Sequence, residues 1–300
     1  MKIGLIDVDG HNFPNLALMK LSSYHKSEGD VVEWYSIYDS YDRVYMSKVF
    51  TFTPDYRYPI QSKEVIKGGT GYKMYEDLFC ESVNPDYSLY PINKDWYDGE
   101  TSYGFLTRGC VRKCPWCIVP KKEGLIRPAK DIEEILQQNK KAILLDNNIL
   151  SCDYGIEQIE KIINLRCKVD FNQGLDARLV TDEVAKMLSK VKWIRYIRFA
   201  CDTVSAVEPL KRVIERLNKY GIKNYRLFVY VLVQDIKDAD DRCNVLKELG
   251  VKPFAQPYRD FDHNIEPSHE QKDFARYVNH TATFKSCTWK EYKKRSRIII

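Results

Sequence analysis

The 300-residue chain contains no apolar run near the ~18 residues that a membrane-spanning helix requires, so a spanning helical bundle is excluded. It also lacks internal repeats and low-complexity tracts, which removes solenoid and compositionally disordered classes. The start does not read as a signal peptide: the apolar Ile3-Gly4-Leu5-Ile6 is cut by Asp7. A cytoplasmic chain with no membrane partner is expected. Nine cysteines is an odd number, and their scatter lacks the pairing of a disulfide framework, so reduced thiols or metal ligation are expected. Acid is scarce in one place. Residues 101–130 carry Arg108, Arg112, Lys113, Lys121, Lys122, Arg127 and Lys130 against Glu123 alone, whereas residues 1–100 hold ten basic and sixteen acidic residues. A short basic segment is either a solvated loop or a nucleic-acid footprint. This one coincides with three cysteines.

What is present reads as a soluble α/β chain of about two domains, with 44% hydrophobic and 30% charged residues. In residues 1–100 a strand at 3–8, a helix capped by Asn15 and running to about Lys26, and strands at 31–35, 44–46 and 64–66 lead into Gly68-Gly69. This predicts a Rossmann-like domain, with residues 73–100 as a linker. From 101 to 260 the alternation is regular. Strands are predicted at about 102–108, 142–146, 168–172, 194–201, 225–233 and 252–256. Helices lie between them at about 131–139, 155–164, 182–190, 206–219 and 238–249. Ser205 and Glu208 have capping-box spacing, and Thr181 stands as a cap before Asp182-Glu183. Six β/α repeats are too few for a closed eight-stranded barrel and fit an open, partial six-stranded (β/α) barrel, whose site lies at the strand carboxyl ends. Residues 261–300 form a C-terminal helical extension, with a helix near 269–280 and the basic tail Lys293-Lys294-Arg295-Ser296-Arg297.

Cys110, Cys114 and Cys117 follow the first barrel strand in the order CxxxCxxC. A closed zinc site takes four ligands, whereas a 4Fe-4S cluster on three cysteines keeps one iron open for a substrate or cofactor. Nearby Arg108, Arg112 and Lys113 are expected to favour thiolate. Cys80, Cys152, Cys167, Cys201, Cys243 and Cys287 have no ligand spacing and are expected as buried free thiols.

The stretch Arg108-Gly109-Cys110-Val111-Arg112-Lys113-Cys114-Pro115-Trp116-Cys117 resembles the signature of the radical S-adenosylmethionine (radical SAM) superfamily, including the aromatic residue before the third cysteine. That resemblance implies an enzyme with a partial (β/α) barrel, a 4Fe-4S cluster on Cys110, Cys114 and Cys117, and SAM chelating the open iron. It further implies an external electron donor of flavodoxin or ferredoxin type. One electron would split SAM into methionine and a 5′-deoxyadenosyl radical, which takes hydrogen from a substrate that the sequence does not identify. Asp146-Asn147-Asn148 stands where the family has a Gly-Gly-Glu-like motif for the SAM ammonium. A carboxylate and two amides replace it, and an Asx turn is the structural alternative. Asn172-Gln173-Gly174, with Asp176 and Arg178 beyond it, stands where ribose and carboxylate contacts are made, and Asp202 ends the fourth strand at a SAM-binding position. A surface salt bridge and a helix cap are the respective alternatives for Arg178 and Asp202. Trp116 would lie near the adenine or pack the loop, and Gln256-Pro257-Tyr258-Arg259 closes the last strand, where it would face either the adenine or the substrate.

The front domain resembles the cobalamin-binding-like domain of one radical SAM group, through Phe13-Pro14-Asn15-Leu16-Ala17-Leu18-Met19-Lys20-Leu21, Gly29-Asp30-Val31 and Gly68-Gly69. Asp9-x-His11 imitates a cobalt-ligating pair, but Pro14 replaces the expected glycine. Cobalamin is therefore not the favoured cofactor. Two rivals stay open: a cobalamin-dependent radical SAM methyltransferase, and a non-enzymatic zinc or nucleic-acid-binding protein.

Overall fold

A computed structural model describes residues 1–10, 13–90, 98–260, 263 and 265–296, with side chains through residue 294. His11, half of the cobalt-ligand imitation, and Arg297 of the basic tail lie outside these residues.

The front module is a parallel sheet with one helix against it. Strand β1 (Lys2–Asp7) leads through helix α1 (Leu16–Ser27) to β2 (Val31–Trp34), and β3 (Tyr41–Ser47) and β4 (Ser62–Gly68) follow in the order β2-β1-β3-β4. Period-2 alternation splits its apolar residues between two faces. Ile3, Leu5 and Tyr45 pack with Leu18, Met19 and Leu21 of α1, while Ile6, Val44 and Met46 lie under Tyr56, Ile60 and Tyr72. Asn15 caps α1 by accepting from the Leu18 N–H at 3.3 Å, and its amide donates to Ser47 Oγ at 2.9 Å.

The segment predicted as a linker is part of this core up to Tyr90. Cys80, Leu89 and Tyr90 are buried, and the Tyr90 hydroxyl donates to Asp7 at 2.9 Å. Its tyrosines carry no helical or strand period. Tyr87 and Tyr90 pack their rings inward while their hydroxyls find fixed partners, so periodicity missed them.

The rest of the chain alternates strand and helix. In order come β5 (Thr101–Gly104), β6 (Thr107–Arg108), α2 (Val119–Lys122), β7 (Arg127–Pro128), α3 (Ile132–Leu136), β8 (Lys141–Leu144), α4 (Asp153–Leu165) and β9 (Lys168–Phe171). Then follow α5 (Asp182–Leu188), β10 (Lys192–Trp193), β11 (Ile197–Ala200), α6 (Val207–Lys219), β12 (Leu227–Val233), α7 (Ile236–Glu248), β13 (Lys252–Pro257), α8 (His269–Asn279), α9 (Thr281–Ser286) and α10 (Trp289–Ser296). Two parallel sheets result, β10-β9-β8-β5 and β11-β12-β13. A bridge between Leu175 and Phe199 joins them, with the Leu175 N–H donating to Arg198 O at 2.8 Å. Arg198 also forks onto Asp170 across the seam with two bonds of 2.7 Å. Six parallel strands therefore follow one another as β5, β8, β9, β11, β12, β13. The fold is α/β with parallel sheets, and no described helix is long and apolar enough to cross a membrane.

Several local expectations are corrected. The strand predicted at 102–108 divides into β5 and β6 because Asp146, not a neighbouring strand, takes the Leu106 and Thr107 N–H groups. The strand predicted at 194–201 divides into β10, which pairs with β9, and β11, which pairs with β12. Helix α3 stops after Leu136, where Gln137 turns to a positive φ of 51°. The Ser205 capping box does not form: Ala206 precedes α6, and Glu208 pairs with Lys211 at 2.8 Å. Thr181 does cap α5, accepting from Val184.

The two faces of the six-stranded array differ. Ala142, Leu144, Val169, Phe171, Ile197, Phe199, Val229, Val231 and Ala255 are buried in the main core that includes the helices. Their alternates Leu145, Asn172, Ala200, Tyr230, Leu232 and Phe254 are only half-buried. The front module reaches toward both ends of the array. Phe13 meets Tyr103 of β5 edge-on at 5.2 Å, and the Arg259 guanidinium beyond β13 lies 3.8 Å from the Phe52 ring.

Burial pushes the Asp7 carboxyl up to about 6, with the Tyr90 hydroxyl and Asn15 opposing, and its Oδ1 has no hydrogen-bond partner. A carboxyl raised on folding stabilises the fold below its ordinary pKa of 3.8 and loses that contribution as pH rises through about 6. Asp7→Asn keeps an acceptor for Tyr90. Its stability relative to the parent should therefore improve by about 2–3 kcal/mol between pH 4 and pH 7, in urea unfolding at each pH. Parallel pH curves for the two proteins would refute this account of Asp7.

Candidate active site at the carboxyl ends of the strands

The cysteine loop leaves β6 through a turn that only glycine fits. Gly109 has φ of 83°, and a Cβ there would lie 2.2 Å from the Leu125 carbonyl oxygen. The Cys110 N–H donates to Gly124 O at 3.1 Å, and the Cys117 N–H donates to Cys114 O at 3.0 Å, closing a turn around Pro115. Cys110 and Cys114 are half-buried and Cys117 is exposed. Cys110 Sγ accepts from the Arg112 N–H at 3.3 Å and from Asn148 Nδ2 at 3.4 Å. The three thiols are close enough to act on one another. Burial pushes Cys114 and Cys117 up, and the neighbouring thiols together with Asp202 add to both shifts.

Two carboxylates organise the surroundings. Glu123 accepts from the Gly109 N–H at 3.0 Å and from Asn147 Nδ2 at 2.8 Å, and Arg108 Nε lies 3.3 Å away. Asp176 accepts from Arg112 Nε at 2.9 Å and from both Arg178 Nε at 2.7 Å and Nη2 at 3.0 Å, with Asn148 Nδ2 at 3.5 Å. Burial would raise Asp176, but the Arg178 and Arg112 guanidiniums prevail and hold it below the ordinary carboxylate range.

These pairings change the electrostatic expectation for the cysteines. Arg108 and Arg112 face Glu123 and Asp176, and the cation that draws Cys114 down is Arg178. The basic segment is largely matched within the fold. Arg127 Nη2 donates to both carboxylate oxygens of Asp77, and Lys130 donates to Ser82 O and Asn84.

The remaining candidates fall as follows. Asp146 is 1% exposed, and its carboxylate accepts from the Leu106 N–H at 3.2 Å and the Thr107 hydroxyl at 2.7 Å. Burial lifts it to about 6 against those bonds. Its geometry is that of a clasp between β8 and β6. Asn147 reaches Glu123, as above. Asn172 is half-buried, and its carbonyl accepts from the Tyr230 hydroxyl at 2.8 Å. Arg178 is exposed and paired with Asp176. Asp202 caps no helix: its Oδ1 accepts from the Leu232 N–H at 3.1 Å, and burial raises its carboxyl against that bond and the charges of Arg242 and Arg178. Trp116 is half-buried in the cysteine loop. Cys80, Cys167, Cys201, Cys243 and Cys287 are buried thiols, and Cys152 is half-buried.

Sequence reasoning did not select Glu123, and it read Asp176 and Asn148 as ligand contacts, whereas the structure turns both onto the cysteine loop, Asp176 through Arg112 and Asn148 through Cys110 Sγ. Glu123 had a signal, as the lone acid among seven basic residues. Asn148 is 3% exposed, and its Oδ1 is buried without a partner beside Cys110, so the pocket wall holds an unmet acceptor.

Among the described residues no group of three or more His, Cys, Asp or Glu side chains is arranged to hold one metal ion. A mononuclear site needs its ligand atoms within about 2.3 Å of a single point. A four-iron cluster instead takes one sulfur at each of three separate irons. The chemistry of three neighbouring thiols, with N–H donors already on Cys110 Sγ, fits the second requirement.

No family model matches the chain, and no curated protein matches it. Among solved structures, Streptococcus suis SuiB bound to S-adenosylmethionine is similar with a TM-score of 0.46 at 14% identity, over 62% of this chain and 48% of that one. The match thus spans about half the length of SuiB.

Asp176→Ala should release both guanidiniums from a side chain only 7% exposed, at a cost of about 3 kcal/mol. Hydrogen exchange should accelerate over residues 108–118, read together with the urea midpoint. Unchanged exchange in that loop would show that Asp176 does not hold it.

Proposed function

We propose that this chain is a radical SAM enzyme in which Cys110, Cys114 and Cys117 hold a 4Fe-4S cluster. The observation that carries the reading is three thiols on one glycine-turned loop, with Cys110 Sγ met by the Arg112 N–H and Asn148 Nδ2, at the carboxyl ends of a parallel α/β array. The partial six-stranded barrel is part of the same reading. When bound and reduced by a flavodoxin- or ferredoxin-like donor, the cluster supplies the electron that splits SAM into methionine and a 5′-deoxyadenosyl radical.

The protein's own residues bind, orient and exclude water. Arg112 N–H and Asn148 Nδ2 donate toward Cys110 Sγ and soften its negative charge. Asp202 lies within electrostatic reach of Cys114 and Cys117 and takes the ammonium of the SAM methionine. Arg178, on the same side, takes its carboxylate. Asn172 and Asn147 supply amides for the ribose and amino group, and Trp116 packs the adenine. Asp146, with its oxygens already engaged, keeps the loop in register. The front module, reaching both ends of the array, shields the reacting carbon from water.

Anaerobic reconstitution should give a brown protein with about four iron per chain. Replacing Cys110, Cys114 or Cys117 by Ala should abolish the chromophore, while Cys243→Ala, at a buried thiol away from the loop, should retain it. A full cluster in the triple variant would sink the assignment. Zinc without iron or sulfide would favour the non-enzymatic module, and co-purified corrinoid the methyltransferase. Reduced protein should release 5′-deoxyadenosine slowly even without substrate.

The two aspartates should separate. Asp202→Ala should weaken SAM binding by about 1–3 kcal/mol in calorimetry, the range for a lost charge-assisted hydrogen bond. Asp146→Ala should instead lower the urea midpoint. The reverse pattern would exchange their roles.

A further inference from the structure

We infer that the uncovered face of the parallel array binds a planar heteroaromatic ring, a nucleobase or close analogue, stacked on Phe254, flanked edge-to-face by Tyr230 and read at its edge by Gln256. As the substrate site of the enzyme this rests on the reading above; as a binding site it stands on the face itself.

Strand register sets the layout. Tyr230 lies opposite Ala200 on one side and Phe254 on the other, and Leu232 lies opposite Gln256 one step nearer the carboxyl ends. The alternates of these residues are buried against the helices, yet Ala200, Tyr230, Leu232 and Phe254 stay half-buried and Gln256 is exposed. A sheet face left this open between packed neighbours is a surface that a ligand covers.

The next layer down is closed, with the Lys252 ammonium 5.7 Å from the Phe228 ring on its outer side. Arg198 is neutralised by Asp170, and its guanidinium lies 4.9 Å from the Phe228 ring. Phe254 stacks on Phe228 at 5.4 Å and meets Tyr230 edge-on at 6.0 Å. The Tyr230 hydroxyl is engaged, donating to Asn172 O and accepting from Arg198, so what Tyr230 has left to offer is its ring. Ala200 is the small side chain of the layer and leaves the height that a flat ring needs. Charge in the upper rows comes from Asp202 at the cysteine end, not from this wall.

That chemistry selects the occupant. Aromatic faces stack on bases of any identity. A single amide, with one donor edge and one acceptor, pairs with the edge of a heterocycle as Gln does with adenine. An aliphatic chain would leave the Gln256 amide unmatched, and a free sugar would find too few hydrogen-bonding groups.

The test titrates full-length protein, without SAM, with guanosine, adenosine, cytidine and uridine, and with short single-stranded oligonucleotides, by calorimetry. Saturable binding of a nucleoside is expected, or of an oligonucleotide alone if the ring arrives within a chain. Gln256→Ala, Phe254→Leu and Ala200→Leu should each weaken it about tenfold or more. Because Phe254 also packs on Phe228, the exposed Gln256 and the filling of space at Ala200 decide the matter if Phe254→Leu fails to fold. The inference is overturned if neither nucleosides nor oligonucleotides bind, or if affinity survives Gln256→Ala and Ala200→Leu. Competitive displacement by SAM would also overturn it, since the wall would then hold the adenine of the cofactor. A protein that takes up no iron yet binds the ring sinks the cluster reading and leaves this one standing; a SAM-cleaving protein that binds no ring does the reverse.

Discussion

Everything at the strand ends depends on where the Asp176 carboxylate spends its charge. It follows β9, yet it holds Arg112 from the cysteine loop and Arg178 from its own turn, and it touches Asn148 from the end of β8. One carboxylate thus ties three separate loops to a common point. With its side chain 7% exposed, those bonds act in a medium where an unpaired charge is costly, so loss of one partner propagates to the others. Glu123 repeats the device one step along, joining Gly109, Asn147 and Arg108.

The seam between the two sheets of the array follows the same logic. Only a single bridge, Leu175 to Phe199, continues the backbone pairing there. The Asp170–Arg198 pair spans the gap with a bidentate, half-buried contact whose geometry a lysine would not reproduce. Polar groups therefore do at the seam what the backbone ladder does elsewhere, and they also close the layer beneath the open face.

Much of this was legible in the residues. The strands and helices of both modules follow period-2 and period-3.6 patterns, and Asn15 and Thr181 cap the helices that they precede. The cysteine spacing and its place after a strand stood out for the same reason: short-range chemistry leaves a short-range signature. What periodicity could not show is where side chains replace backbone as partners. Asp146 ends a strand by taking its N–H groups, and Gln137 ends a helix with a positive φ. Tyr87 and Tyr90 fix their rings through hydroxyl bonds to residues far away in sequence.

The sequence by itself determined the α/β class, the alternation of strands and helices and the position of three thiols after the first strand of the second module, because each depends on neighbours within a few residues. Only the tertiary structure decided which charges are free. Seven basic residues around the cysteines look like a cationic patch in one dimension. In three dimensions Arg108, Arg112 and Arg127 face Glu123, Asp176 and Asp77, and Arg178, sixty-four residues beyond Cys114, is the cation that acts on that thiol. Coulomb interaction depends on distance through space and on burial, and neither is written in the order of residues along the chain.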